Sequence, residues 1–167
     1  MTEQPSLDGL RTQLVELLDA RGAHMPFEAA VADFPTEAIN RTAPELLYTP
    51  WHLLEHIRFA QSDILDYIRN RGYLEPTWPD AYWPARDATT TRAGFDGTIA
   101  AFQRDRDALK ALVADPATDL FATIPGTPGH SFVREIRVVG AHNAYHTGEF
   151  AILRQVMGTW PSNHEGA

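Results

Sequence analysis

The chain has 167 residues, of which 44% are hydrophobic and 22% charged, and this is enough for one domain with a hydrophobic core. Its 14 basic and 22 acidic residues give a formal net charge of −8, which argues against a nucleic-acid partner because phosphate neutralisation needs clustered Lys and Arg. The chain has no cysteine, so disulfides and thiolate ligands are excluded and any metal must be held by histidine and carboxylate.

No targeting or membrane segment is evident in the sequence. Residues 1–13 are polar and acidic, without the apolar stretch of a signal peptide. No segment approaches the ~18 consecutive apolar residues of a membrane span. We therefore expect a single domain over residues 1–167, a cytoplasmic location and no membrane partner.

Two helices are predicted before residue 40. Leucines at helical spacing predict a first helix over residues 6–20, with Ser6 as its N-cap and Gly22 at the expected C-cap. Pro26 suits a first helical position, so a short helix is predicted over residues 26–33.

The middle of the chain predicts a second long helix and then an irregular segment. Thr49 followed by Pro50 combines an N-cap hydroxyl with proline at the first helical position, and the helix runs to about residue 70. Residues 73–87 carry Trp78, Tyr82 and Trp83 among prolines, a composition that predicts no regular element. This segment either packs on the core or covers a pocket.

The C-terminal half predicts two more long helices. Threonines at positions 89–91 offer N-caps for a helix that ends at Asp115-Pro116, and Ser131 caps a last helix over residues 132–157. Gly158 supplies the C-terminal stop. Because neither strand-like alternation nor a repeat is found, the prediction is an all-α four-helix bundle with a short extra helix after the first.

The last predicted helix carries the strongest functional pattern, His142-x-x-x-His146 followed by Glu149. Histidines four residues apart lie one above the other, with roughly 5–6 Å between their Cβ atoms, so both can reach one cation. The apolar stripe of this helix places His146 on the buried seam and the other two residues at its edge. Polar groups there are costly without partners, and a metal would supply one.

A third ligand is predicted on the second long helix. His56 lies beside the apolar stripe of that helix and can meet His142 and His146 if the two helices pack together. Three imidazoles leave a coordination position open, as in catalytic metal sites. The residues alone leave zinc, nickel, copper and iron open.

Two further residues are candidates for proton transfer. His52 lies one turn before His56 on the same helix face. Four interpretations are open for it: a fourth metal ligand, a hydrogen-bond partner of a ligand, a proton shuttle, or a half-exposed histidine at the start of a helix. Glu149 either fixes the tautomer of a ligand histidine, acts as general base, or is a surface carboxylate.

The chain resembles the DinB/YfiT-like superfamily of bacterial metalloproteins. The resemblance lies in Trp-x-x-Leu-x-His ending at His56 and in His-x-x-x-His-x-Gly-Glu starting at His142. It implies a four-helix bundle with up-down-down-up connectivity, a homodimer, and a divalent metal, nickel or zinc, held by His56, His142 and His146. It also implies a low-molecular-weight thiol, such as bacillithiol or mycothiol, as cosubstrate.

The expected function is a divalent-metal-dependent enzyme, either a thiol-dependent transferase or a hydrolase, acting on a small-molecule substrate. Glu149 or His52 would handle the proton. The alternative is a stress-associated protein that binds a metal or a small molecule without turnover, and a third reading is a bundle whose histidines are hydrogen-bonded core residues. Because the aromatic segment and His52 lie outside the family pattern, the substrate is not implied.

Overall fold

The computed structural model describes residues 7–162, which form five α-helices and no strand. Two single turns of 3₁₀-helix, Thr36–Ala38 and Asp80–Tyr82, lie in the connections. The helices are α1 Leu7–Leu18, α2 Phe27–Val31, α3 Pro50–Arg69, α4 Arg92–Ala114 and α5 Phe132–Met157. The prediction of an all-α chain with a short helix after the first is confirmed.

The three longest helices begin where the sequence predicts. In each, the N-cap hydroxyl accepts a hydrogen bond from the backbone N–H three residues further on, and the caps are Thr49, Thr91 and Ser131. Gly158, with φ 62°, ends α5 in the left-handed conformation. The predicted cap Ser6 lies outside the described residues.

The predicted C-cap of the first helix is wrong by two residues. The left-handed residue is Ala20, with φ 54°, and not Gly22. The N–H of Ala20 donates to the carbonyl of Leu17 at 3.2 Å, and the N–H of Arg21 donates to the carbonyl of Glu16 at 2.9 Å. This pair of hydrogen bonds is the Schellman motif. The last residue of the helix, Leu18, is buried. The short helix α2 is likewise trimmed at both ends relative to the prediction.

α3 packs against α4 and α5, and α1 packs against the same two helices, so α1 and α3 lie at opposite corners of the bundle. Near the start of α3, Glu55 accepts a hydrogen bond from Thr98 of α4. Further along both helices, Gln61 donates to the carbonyl of Phe102. α3 and α4 therefore run in the same direction.

Contacts at both ends of the bundle give the directions of the other helices. His56 of α3 meets His146 of α5, whereas Tyr67 near the end of α3 meets His130 just before α5, so these two helices are antiparallel. Arg11 of α1 donates to the carbonyl of Val113 at the end of α4, and these helices are antiparallel too. The connectivity is up-down-down-up.

A buried polar layer separates the core into two apolar clusters. Asn143 of α5 donates to the side-chain oxygen of Gln61 of α3 at 2.8 Å and so links these two helices within the layer. The cluster on one side contains Phe95, Phe102 and Phe150 and packs beneath the histidines. No helix within residues 7–162 is both long and apolar enough to cross a membrane.

Candidate metal centre

The antiparallel pairing of α3 and α5 brings the three predicted histidines together. The Nε2 atom of His56 lies 3.2 Å from Nε2 of His142 and 3.3 Å from Nε2 of His146. One ring nitrogen from each of the three lies within 4.8 Å of the other two. His56 is buried and the other two rings are half-buried, so the cluster lies just below the surface of the bundle.

Contacts with the segment 82–83 fix the tautomer and plane of His56. Its Nδ1 atom lies 2.9 Å from the carbonyl oxygen of Tyr82, which can only accept, so Nδ1 carries the hydrogen. The indole of Trp83 stacks on the imidazole, with centroids 4.1 Å apart and an angle of 5° between planes. Nε2 of His56 therefore presents its lone pair to the other two rings.

Glu149 fixes His146 in the same way. The Nδ1 atom of His146 lies 2.6 Å from Oε2 of Glu149, and the hydroxyl of Tyr48 donates to Oε1 of the same carboxylate. The hydrogen bond from His146 lowers the pKa of Glu149, with a further contribution from Tyr48, although burial opposes the shift. Burial and the carboxylate raise the pKa of Tyr48, which keeps its hydroxyl a donor.

The residues present fit a bound cation. With Nδ1 of His56 and of His146 protonated, two nitrogen lone pairs face each other at 3.3 Å, and His142 can supply a hydrogen to only one of them. A tetrahedral ion with bonds of about 2.0–2.1 Å holds its nitrogens roughly 3.3–3.4 Å apart, close to the two separations found here. Imidazoles suit zinc and nickel as well as copper and iron.

The protonation states are also those that metal ligation requires. Burial lowers the pKa of His56. Burial, with the neighbouring His146 and His56, lowers the pKa of His142 to about 4. Both rings are therefore neutral at pH 7, with a lone pair available for a metal. The Nδ1 atom of His142 is buried without a hydrogen-bond partner among residues 7–162, so no partner at its outer nitrogen fixes the tautomer of this third ring.

His52 is buried beside the cluster, and both of its ring nitrogens contact the backbone. Its Nδ1 atom accepts from the N–H of Thr49 at 3.4 Å and completes the capping box of α3. Its Nε2 atom donates to the carbonyl of Ala88 at 2.8 Å. The ring thus ties the start of α3 to the chain that follows the aromatic segment.

A pocket of about 550 Å³ opens beside the histidines. Tyr48, His52, Trp83 and Glu149 form the part of its wall that also contacts or borders the cluster. The aromatic segment therefore both lines the pocket and packs on His56. A cavity of this size can hold a small organic molecule next to a metal.

Sequence reasoning missed three residues that position the ligands. Tyr48 holds Glu149, the partner of His146. The carbonyl of Tyr82 is the partner of His56, and Trp83 stacks on the His56 ring. None of these contacts follows a helical spacing, because all three residues lie in connections whose path depends on the whole bundle. The high aromatic content of residues 73–87 was the one signal available.

Comparison with known proteins gives one match. A family model described as the DinB superfamily matches residues 19–150, a range that contains all three histidines. Neither the curated proteins nor the solved structures gave a match to the chain.

Proposed function

The chain belongs to the DinB superfamily, and from this membership we propose that it is a divalent-metal-dependent enzyme acting on a small organic molecule. The reaction is transfer to a low-molecular-weight thiol, or hydrolysis of the same kind of electrophile. One observation carries the proposal: the Nε2 atoms of His56, His142 and His146 converge, and the outer nitrogens of two of these rings are already hydrogen-bonded.

His56, His142 and His146 would hold the ion, which we expect to be zinc or nickel. When bound, the ion supplies Lewis acidity that lowers the pKa of a thiol or a water. The outer contacts of His56 and His146 keep both lone pairs directed inward and raise the basicity of the ligands. The adjacent pocket offers a largely apolar wall on which the organic part of the electrophile can pack.

Glu149 has two proposed roles. Its hydrogen bond to His146 supports the first, which is to hold that ring in one tautomer. The second is to accept the proton that the thiol sulfur, or a water oxygen, loses as it bonds to the electrophilic carbon, while the bond from that carbon to its leaving group breaks and the leaving group departs with the electron pair. Because the pKa of Glu149 is lowered, it accepts a proton only from a thiol or water whose own pKa the ion has lowered.

His52 is the second residue proposed for the proton. Both of its ring nitrogens already contact backbone groups, so proton uptake at Nδ1 would break the capping box of α3. We therefore place Glu149 before His52 as the proton acceptor. The ring of His52 still forms part of the pocket wall.

Elemental analysis of protein purified without a histidine tag tests the metal site. We expect close to one divalent ion per chain, and loss of the ion in the double variant His142→Ala/His146→Ala with helicity retained. The metal-loaded protein is then tested with electrophilic substrates, with and without small thiols. Turnover that requires a thiol identifies a transferase and turnover in water alone a hydrolase, while a metal-loaded protein without any turnover contradicts the enzymatic proposal.

We also propose that the protein is a homodimer formed through one face of α5. Tyr145, Ile152 and Val156 lie on this face and are 72%, 67% and 58% exposed. Over residues 138–157 the charged side chains are Glu149, which is bonded to Tyr48 and His146, and Arg154, which is buried. Because this face carries no free charge, two chains of net charge −8 can approach each other through it. A twofold axis would then pack this face of one chain against the same face of the other.

A further inference from the structure

The pocket beside the histidines has an apolar wall and two charges that no described residue neutralises. The apolar wall is formed by Leu47, Pro79, Trp83, Pro84 and Ala85. Leu47 is 70% exposed, so a large hydrophobic side chain borders a cavity that is open to solvent. Such a surface stabilises the apolar part of a ligand.

Two acidic side chains, Asp80 and Glu149, and one basic side chain, Arg86, also line this pocket. Glu149 is already committed, since each of its oxygens accepts a hydrogen bond. The carboxylate of Asp80 and the guanidinium of Arg86 form neither a hydrogen bond nor an ion pair within residues 7–162. One uncommitted positive charge and one uncommitted negative charge therefore border the same cavity.

Contacts on both sides hold the backbone that carries these two charges. The turn containing Asp80 is fixed by the hydroxyl of Tyr82, which donates to Asp63 at 2.7 Å, and by the bond from His56 to the carbonyl of Tyr82. Two residues after Arg86, the carbonyl of Ala88 accepts a hydrogen bond from His52. Because the backbone is already ordered, binding a ligand here costs little conformational entropy.

We infer that the pocket binds a small zwitterion, an α-amino acid or a derivative of one with an apolar side chain. Its carboxylate would pair with Arg86 and its ammonium with Asp80. A singly charged ligand would satisfy one of these groups and leave the other beside a like charge. The inference rests on the proposed function insofar as it names the substrate or cosubstrate class of the same site.

Three matched probes test the charge requirement by titration calorimetry on the full chain, both metal-free and metal-loaded. They are L-phenylalanine, 2-phenylethylamine, which lacks the carboxylate, and 3-phenylpropanoate, which lacks the ammonium. We expect L-phenylalanine to bind about fivefold more tightly than either of the others, which corresponds to one exposed ion pair. Arg86→Gln should weaken L-phenylalanine binding about fivefold without weakening that of 2-phenylethylamine, from which it removes a like charge. Asp80→Asn should weaken L-phenylalanine binding about fivefold without weakening that of 3-phenylpropanoate, for the same reason.

Arg137→Gln is the matched control, because Arg137 is an exposed arginine of α5 that does not line the pocket. Equal affinity for the three probes, absence of binding, or equal effects of Arg86→Gln and Arg137→Gln would overturn the inference. The metal content of the same samples reports separately on the proposed function. If the chain bound the zwitterion but took up no metal, the proposed metal-dependent function would be refuted and zwitterion binding would stand. If it took up metal but did not bind the zwitterion, only the zwitterion inference would be refuted.

Discussion

At the scale of single residues, Glu149 connects the pocket to the histidine cluster through two hydrogen bonds. Its carboxylate accepts from His146 on one oxygen and from Tyr48 on the other. A proton-accepting role needs the negative charge, whereas an orienting role needs only an acceptor for the His146 N–H. Two substitutions therefore separate these roles.

We predict that Glu149→Gln keeps metal affinity within a few-fold, because its amide oxygen can still accept from His146. Glu149→Ala should lower metal affinity about tenfold to hundredfold, the range found when the outer partner of a metal ligand is lost. Competition with a chromophoric chelator measures both values. If Glu149→Gln lost as much affinity as Glu149→Ala, orientation by hydrogen bonding would not explain the role of this residue.

The lowered pKa of His142 predicts how the stability of the metal-free protein depends on pH. Its ordinary pKa is 6.5 and its pKa in the folded chain is about 4, so between these values the unfolded chain binds more protons. The free energy of unfolding should therefore be greatest above pH 6.5 and fall as the pH is lowered towards 4. The lowered pKa of His56 acts in the same direction.

Urea unfolding in the presence of a chelator, from pH 7.5 to pH 4, measures this dependence. The variant His142→Asn should lose less stability across the window than the unsubstituted chain, because it has one fewer histidine to protonate on unfolding. Identical pH profiles for the two proteins would show that His142 does not titrate as its burial requires.

At the scale of helices, the most informative position is the end of α1, where Ala20 adopts φ 54°. The left-handed conformation costs a residue with a Cβ roughly 1–2 kcal/mol, while glycine loses roughly 0.4–1 kcal/mol more backbone entropy on folding. We predict that Ala20→Gly raises the free energy of unfolding by about 0.5–1 kcal/mol. Ala111→Gly, at an exposed position inside α4, should lower it by about 1 kcal/mol, and both are measured by urea unfolding. A loss of stability in Ala20→Gly would contradict the assigned helix end.

Helix starts could be predicted from sequence because they depend on neighbouring residues. Thr49, Thr91 and Ser131 each satisfy a backbone N–H only three positions away, so the signal is local. The end of α1 could not be predicted in the same way. There Ala20 and not the nearby Gly22 is the left-handed residue that ends the helix, so the local preference of glycine for this conformation did not decide the position.

At the scale of the whole molecule, the sequence could predict which histidines form the cluster but not their surroundings. The four-residue spacing of His142 and His146 needs only helix geometry, and His56 joins them once two helices pair. The contacts of Tyr48, Tyr82 and Trp83 depend on connections folded over the end of the bundle. Long connections have no periodic pattern that would indicate which side chain meets which ring.

The uncharged face of α5 predicts the oligomeric state of the whole protein. Ile152→Glu places a charge at its centre and should convert a dimer to a monomer in light scattering coupled to size-exclusion chromatography. Leu74→Glu is the matched control, because Leu74 is 87% exposed but lies in the connection after α3 and not on α5. A monomer before substitution, or the same effect from both substitutions, would contradict dimerisation through this face.

The most direct test of the central claim is X-ray absorption spectroscopy on metal-loaded, tag-free protein and its His56→Ala variant. Convergence of His56, His142 and His146 on one ion predicts about three imidazole ligands in the unsubstituted chain and about two, with lower affinity, in the variant. His24→Ala, which removes a histidine outside the cluster, should leave the spectrum unchanged. An unchanged ligand number and affinity in His56→Ala would show that α3 and α5 do not share a metal.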